Sequence, residues 1–398
     1  VSTVATSVES LVLPSEVWAR GRNRLAALAL AGWVASLPGF FADPGRFAQA
    51  YLVAYLFWLT LPLGALFFLM VQHLSGAVWS VSSRRIVEAV SGVLPVAAVL
   101  YLPVALSLHR LYEWTHAEIL AVDPVLRGKQ VYLNPHFFLV RAAFCLVVWS
   151  LLSLVLRGWS VAQDRTGEAP SRQAIVWSAA GLPLTILTVT VAAFDWVMSL
   201  EPHWYSTVFG VYLYAGGAAA AVAAVILLLL TLRRSGWLTG QVHVEHYHDY
   251  GKWLFGLIVF WAYIAFSQYM LIWYANLPEE TQWFRTRTQG GWTVWALALA
   301  AGHFFVPFFA LISRAAKRSL PWLGAVSVWV LLAHYLDLYW QVMPAFHREA
   351  PAWHWLDAAT LVAVGASLGL AFWRQLKDVP LAPVADPRFS RSVEFHNV

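Results

Sequence analysis

Cysteine is nearly absent: Cys145 is the single one in 398 residues. One thiol excludes a disulfide framework, and it excludes any iron–sulfur cluster held by about four thiolates. No C-x-x-C-H stretch occurs, so covalent c-type haem is excluded, and no G-x-x-x-x-G-K-[ST] stretch offers a phosphate loop. Cys145 lies inside an apolar run and reads as a small packing residue. Charge is scarce as well: 12% of residues are charged, where an ordinary soluble chain carries roughly a quarter. No hydrophilic stretch is long enough for a large soluble domain.

What fills the chain is hydrocarbon. Hydrophobic residues make up 60%, with 23 Trp, and they come in runs that match the roughly 20 residues of a membrane-crossing helix. These runs predict an all-α polytopic membrane protein with ten spans, at about 25–41, 51–71, 86–108, 137–156, 174–200, 208–232, 253–274, 292–313, 320–343 and 355–373. The N-terminal stretch shows no short apolar core followed by a small-residue cleavage site, so span 1 is expected to be retained.

Ten spans leave both termini on one side. The tails and loops of that side hold 18 Lys and Arg, the opposite loops hold 7, and Arg141 lies inside span 4. The positive-inside rule then places both termini in the cytoplasm. It also explains the net charge of +5 as a topology signal that calls for no nucleic-acid partner. The expected division is a cytoplasmic segment 1–24, a membrane domain 25–373 and a cytoplasmic arm 374–398. Pro380, Pro383 and Pro387 suggest that this arm is extended and lies along a neighbour.

Two acids end spans that run the same way. Asp195 stands in "DWVMSLEP" and Asp337 in "DLYWQVMP", each an acid, six residues, then Pro. Their spans are four apart, so the pattern suggests a repeated four-helix unit about an axis along the membrane normal. A rise of about 1.5 Å per residue puts Asp195, Gln268, His303, His334, Asp337 and Arg141 in the outer half of the membrane. An ionisable group there costs a few kcal/mol and usually lines a cavity, finds a partner or carries protons. The plainer alternatives stay open. Asp337 and Arg141 sit near enough to helix ends to reach headgroups, and His303 and His334 either satisfy one another or nearby carbonyls. By depth these two imidazoles also qualify as a bis-His haem pair, although only one such pair exists. Past Asp195, Pro202 breaks the helix and turns Glu201 and His203 into the outer water layer.

On the opposite side, "HVEHYHD" (243–249) gathers three His and two acids in seven residues. Read as a metal site it would use His243, His246 and His248, but no distant fourth ligand stands out. Read as a solvated, proton-buffering cytoplasmic mouth it would use His243, Glu245, His246, His248 and Asp249.

The stretches "FDWVMSLEPHWYSTVFGVYLYAGG" (194–217) and "EHYHDYGKWLFGLIVFWAYIAFSQYMLIWYANLPEETQWF" (245–284), with the ten-span layout, resemble the NrfD/PsrC-like integral membrane subunits. The likeness is to the F-type subunit of alternative complex III, a bacterial quinol:cytochrome c (or cupredoxin) oxidoreductase of the respiratory chain. It covers about 25–373. The resemblance implies two four-helix bundles plus two flanking helices in the bacterial inner membrane. It also implies partners: a C-type NrfD-like subunit, an iron–sulfur subunit and multihaem cytochrome c subunits. The haem c and iron–sulfur clusters are then in those partners, and this chain binds no redox cofactor of its own.

The quinol pocket of such assemblies belongs to the C-type copy, where the acid-containing stretch is followed by Pro-Gly-Trp-His. Here Glu201-Pro202-His203-Trp204-Tyr205 stands instead. The expected function is therefore a scaffold that conducts protons through a proton-path or quinone-like cavity of Asp195, Gln268, His303, His334 and Asp337. Arg141, Glu201 and His203 form its outer rim, with no catalytic residue and no metal. The alternatives are a subunit that itself binds and oxidises menaquinol, and a stand-alone secondary transporter.

Overall fold

The computed structural model describes residues 11–166 and 171–397. All ten expected spans are helices long and apolar enough to cross a membrane: Ser15–Ala42, Pro44–Leu74, Val81–Leu106, Pro135–Asp164, Arg172–Leu200, Phe209–Arg234, Val244–Ala275, Trp292–Leu311, Leu320–Ala345 and Trp355–Gln375, spans 1 to 10. Among the described residues there is no strand. The protein is an all-α multi-pass membrane protein. Several helices outrun their apolar cores; span 7, expected from 253, begins at Val244. Backbone hydrogen bonding does not stop where hydrocarbon stops, so polar helix ends continue into the interface.

Local chemistry sets the joints. Spans 1 and 2 are separated by Asp43 alone, whose side chain accepts from Arg46 N while Pro44 opens the next helix. Span 3 is broken into short pieces, Arg84–Ser91, Leu94–Val99 and Leu102–Leu106, with Pro95 and Pro103 at the starts of the second and third. Each proline removes a backbone donor.

Span 2 is the hub, buried along most of its length and packed against spans 3, 5, 6 and 10. Span 6 faces it with the run "YAGGAAAAVAAV", and small residues let the two backbones close. A Cβ added at Gly217 would lie 2.7 Å from Thr60 Cβ, and one at Gly64 would lie 2.6 Å from Ala221 Cβ. Spans 1 and 10 pair with each other in the same manner, with Gly32 against the Ala363 backbone.

The two chain ends meet on one face, where Leu381 N donates to Leu11 O at 3.0 Å. This is the terminal face; the other is the far face. On the far face, 109–134 folds over the end of span 5. Tyr112 Oη donates to Trp196 O (3.0 Å) and Trp114 Nε1 to Ser199 Oγ (3.3 Å).

The C-terminal arm, expected to be extended, folds back onto its own chain. Leu381 and Ala382 are fully buried, a short helix forms over Phe389–Val393, and Asp386 accepts from Arg84 Nη1 at 2.7 Å. Ser392 Oγ accepts from Ser82 N and donates to Trp79 O, both at 3.0 Å. The prolines turn the arm back onto its own chain, where buried ion pairs and capped carbonyls hold it.

Candidate functional site

A constellation of buried polar groups lies among spans 6 to 9. Span 8 carries a π-helical turn over Ala300–Phe305, followed by Pro307 near the start of the next segment. Wider turns of this kind often mark functional positions. Here Pro307 cannot return a hydrogen bond to the carbonyl four residues back, which is that of His303. The turn carries His303 to full burial.

Asp337, on span 9, is also buried. Its Oδ1 accepts from Tyr212 Oη at 2.6 Å and its Oδ2 from Trp261 Nε1 at 3.2 Å. His303 Nδ1 stands 3.9 Å from that same Oδ2. This is too long for a hydrogen bond, and close enough for a small turn of either side chain to make one. The His303 ring lies on Trp261, with centroids 3.8 Å apart.

One helical turn before Asp337, His334 Nε2 lies 2.9 Å from Thr60 Oγ1. That hydroxyl already donates to Phe57 O, so it accepts from the imidazole. His334 therefore carries its proton on Nε2, and Nδ1 is a bare lone pair. Among the described residues, His334 Nδ1 and both ring nitrogens of His303 have no hydrogen-bond partner. Gly216 makes room for this ring: a Cβ there would lie 3.0 Å from His334 Nδ1.

Asp337, Tyr212 and Trp261 line a cavity of about 680 Å³ whose other lining side chains, Thr288 apart, are apolar or aromatic. It runs out between spans 7 and 8 to Tyr263, Phe266 and Leu297, all strongly exposed on the membrane-facing surface. A cavity of this size, apolar with a few convergent polar groups, suits a ring-bearing lipophilic ligand.

The structure divides the residues that the sequence grouped into one cavity. Asp195 belongs to a separate place. Arg141 grips it with Nε on Oδ2 (2.7 Å) and Nη2 on Oδ1 (3.0 Å). The same guanidinium donates to Tyr132 O and is covered by the Tyr132 and Phe137 rings. Arg141 is thus no rim residue but the buried partner of Asp195, and Asp195 is a paired anchor rather than an open acid. Gln268 is buried about two turns along span 7 from Trp261. Neither of its amide atoms has a partner among the described residues, and it does not line the cavity.

Glu201 pairs with Arg287 at 2.5 Å, and Arg287 also donates to Gln341 O at 2.7 Å. The end of span 5 is thereby tied to the helix Pro278–Thr288 and to span 9. His203 is exposed and 2.6 Å from Asp123. Asp123 caps its helix, and the Leu126 N–H bound to it holds its carboxyl below the usual range, with His203 adding to this.

The expected solvated mouth is instead the closed start of span 7, with Glu245, His246, His248 and Asp249 all buried. His243 Nδ1 accepts from Glu245 N, and His246 Nδ1 accepts from His243 N. Both rings therefore carry their protons on Nε2 and donate them to the arm: His246 to Ser392 O (2.9 Å) and His243 to Val393 O (3.1 Å). Burial lowers the pKa of His243, which keeps it in the neutral form this geometry needs. Asn397 Nδ2 closes the stretch by donating to Glu245 Oε2 and Asp249 Oδ1. The arm covers this stretch because its carbonyls supply what the imidazoles need.

Tyr212, Trp261, Thr60 and Arg287 were not singled out by the sequence. The one signal available was "YLYAGG", which puts Tyr212 and Gly216 on one helix face four residues apart. No protein-family model matches this chain, and no curated protein matches it.

Proposed function

We propose that this chain is a membrane subunit of a quinol-oxidising electron-transfer assembly, of the NrfD-like F-type. It has both termini in the cytoplasm and its spans grouped as 2–5 and 6–9, with 1 and 10 flanking. Its partners would be the C-type copy, an iron–sulfur subunit and multihaem cytochromes, which hold the redox centres. Within that assembly Asp337, His303 and His334 accept and pass protons near the far face.

One observation carries this reading. Among the described residues, a buried carboxylate with no Lys or Arg against it has His303 Nδ1 3.9 Å away, and the free nitrogens of His303 and His334 find no partner. Groups left this way inside a membrane are costly and are retained for proton or ligand chemistry. In this grouping span 2 packs against spans 3 and 5, span 6 against spans 7 and 9, and the two groups meet where span 2 packs on span 6.

The cavity favours a second layer of the same reading, in which a quinol headgroup reaches Asp337 and Tyr212 from the membrane. A quinol oxidised there gives up two protons and two electrons. Asp337 is placed to take a proton, while the electrons leave to a centre in a partner subunit. The test is photolabelling of membranes with an azido-menaquinone analogue, followed by peptide mapping and isolation of co-purifying chains. The reading expects label on peptides bearing Tyr212, Trp261 or Asp337, with haem-containing chains retained. Label confined to other spans removes the headgroup site, and purification as a lone transporter removes the assembly.

A further inference from the structure

A second cavity, of about 480 Å³, opens where span 7 leaves the terminal face. It is lined by Trp79, Asp249, Lys252, Trp253, Gly256 and Leu257. Lys252 Nζ bonds Asp249 Oδ1 at 2.5 Å and Asn397 Oδ1 at 3.0 Å, yet its side chain remains about half exposed. Two acceptors leave one of its three N–H groups free. Asp249 directs Oδ1 to Lys252 and Asn397, and no described residue bonds Oδ2.

The two indoles are held in place by ring contacts, Trp79 on Tyr250 (5.0 Å) and Trp253 on Phe68 (5.3 Å). Neither indole N–H bonds a described residue, whereas Trp58 and Trp261 both donate. One turn deeper, Gly256 is exposed, and a Cβ there would meet nothing within 4 Å. The surface beside the cavity is therefore unobstructed at Gly256.

We infer that this cavity binds one phospholipid whose headgroup carries both a phosphate and a primary ammonium, as in a phosphoethanolamine lipid. The ammonium donates to Asp249 Oδ2, the phosphate accepts from Lys252 and the free indoles, and an acyl chain runs past Gly256 and Leu257. Charge complementarity selects the class. A phosphoglycerol lipid brings an anion to Asp249 with no cation, and a phosphocholine lipid brings a cation with no N–H to donate. Two indoles at the membrane edge are the usual company for a headgroup. The site is remote from Asp337 in sequence and chemistry, so it stands or falls independently of the proposed function.

The test is native mass spectrometry of the purified protein, delipidated and titrated with dioleoyl phosphatidylethanolamine, phosphatidylcholine or phosphatidylglycerol. The expected result is one ethanolamine lipid retained with about tenfold preference over the others. That preference should vanish in Asp249→Asn. Gly256→Leu, which touches no charged group, should lower retention of the lipid while leaving the fold intact. Equal retention of all three lipids would mean a bulk-lipid or protein-facing surface and overturns the site. Preference for phosphatidylglycerol overturns it too, as does a preference that survives both substitutions.

Discussion

Asp195 and Asp337 occupy the same place in the two halves of the chain, and the structure treats them in opposite ways. Each ends a span, and each is followed by a short tight turn, Met198–Leu200 in one case and Met343–Ala345 in the other. Asp195 meets a guanidinium in bidentate contact and is closed off by aromatic rings. Asp337 meets a phenol and an indole, both neutral, with two imidazoles behind it and a cavity in front. A carboxylate held by two charge-assisted bonds is fixed in charge and position. One held by neutral donors keeps access to a proton. The difference teaches that a repeated acid in a membrane protein need not repeat its surroundings: one copy is fixed by a guanidinium, and the other is held only by neutral donors.

The largest expected effect sharpens this contrast. Arg141→Met leaves Asp195 buried without its partner and should destabilise the protein by about 3–5 kcal/mol, read as a drop in thermal midpoint in detergent. Adding Asp195→Leu should recover much of that loss, because replacing both charges removes the stranded one. If the single variant were as stable as the parent, Asp195 would not be an anchor.

Next in size is the seam between the halves. Gly217→Val puts a branched Cβ 2.7 Å from Thr60 Cβ, and overpacking of this kind costs about 1–3 kcal/mol. Because Thr60 also fixes the proton position on His334, the same variant should slow turnover beyond what its stability loss explains. Turnover per folded molecule, counted by fluorescence-detected gel filtration, checks both parts.

Asp337→Asn keeps the Tyr212 contact on Oδ1 but turns an amide NH2 toward the Trp261 N–H, and loss of that one bond should cost about 1–2 kcal/mol. An equal thermal penalty for Asp337→Asn and Arg141→Met would erase the distinction between the sites.

The smallest effect concerns the C-terminal arm, tied down near the first half through Arg84 and near the second through the two imidazoles. Burial pushes the Asp386 carboxyl up, but the Arg388 and Arg84 guanidiniums outweigh it and bring it down to about 2. The folded value lies below the ordinary one, so this latch is fully present above about pH 4 and is lost as pH falls toward 2. Limited proteolysis should therefore find the arm protected from neutral pH down to about 4. Asp386→Asn should expose it at neutral pH.

Much of the membrane frame could be read from the residues alone. Apolar runs and basic loops carry their meaning locally, so all ten spans were visible. Asp195 and Asp337 were visible as a pair because their spacing to proline repeats. What could not be read was partnership. Arg141 is 54 residues from Asp195, and nothing within its own stretch says that it turns inward. Trp261 and Tyr212 were hidden because aromatic residues in membrane helices usually mark interfaces. The π turn at His303 has no sequence signature beyond a proline. The arm's packing on its own chain was hidden for a related reason: its prolines show where the chain bends but not what it bends toward.

The most direct test of the account compares the specific turnover of purified assemblies carrying Asp337→Asn or Asp195→Asn, each normalised to folded protein. The account predicts that Asp337→Asn is assembled normally and loses at least about tenfold in quinol oxidation or its coupled proton release. It predicts that Asp195→Asn yields less assembled protein with near-normal turnover per assembled molecule. Normal turnover in Asp337→Asn, with the loss falling on Asp195→Asn instead, would contradict it.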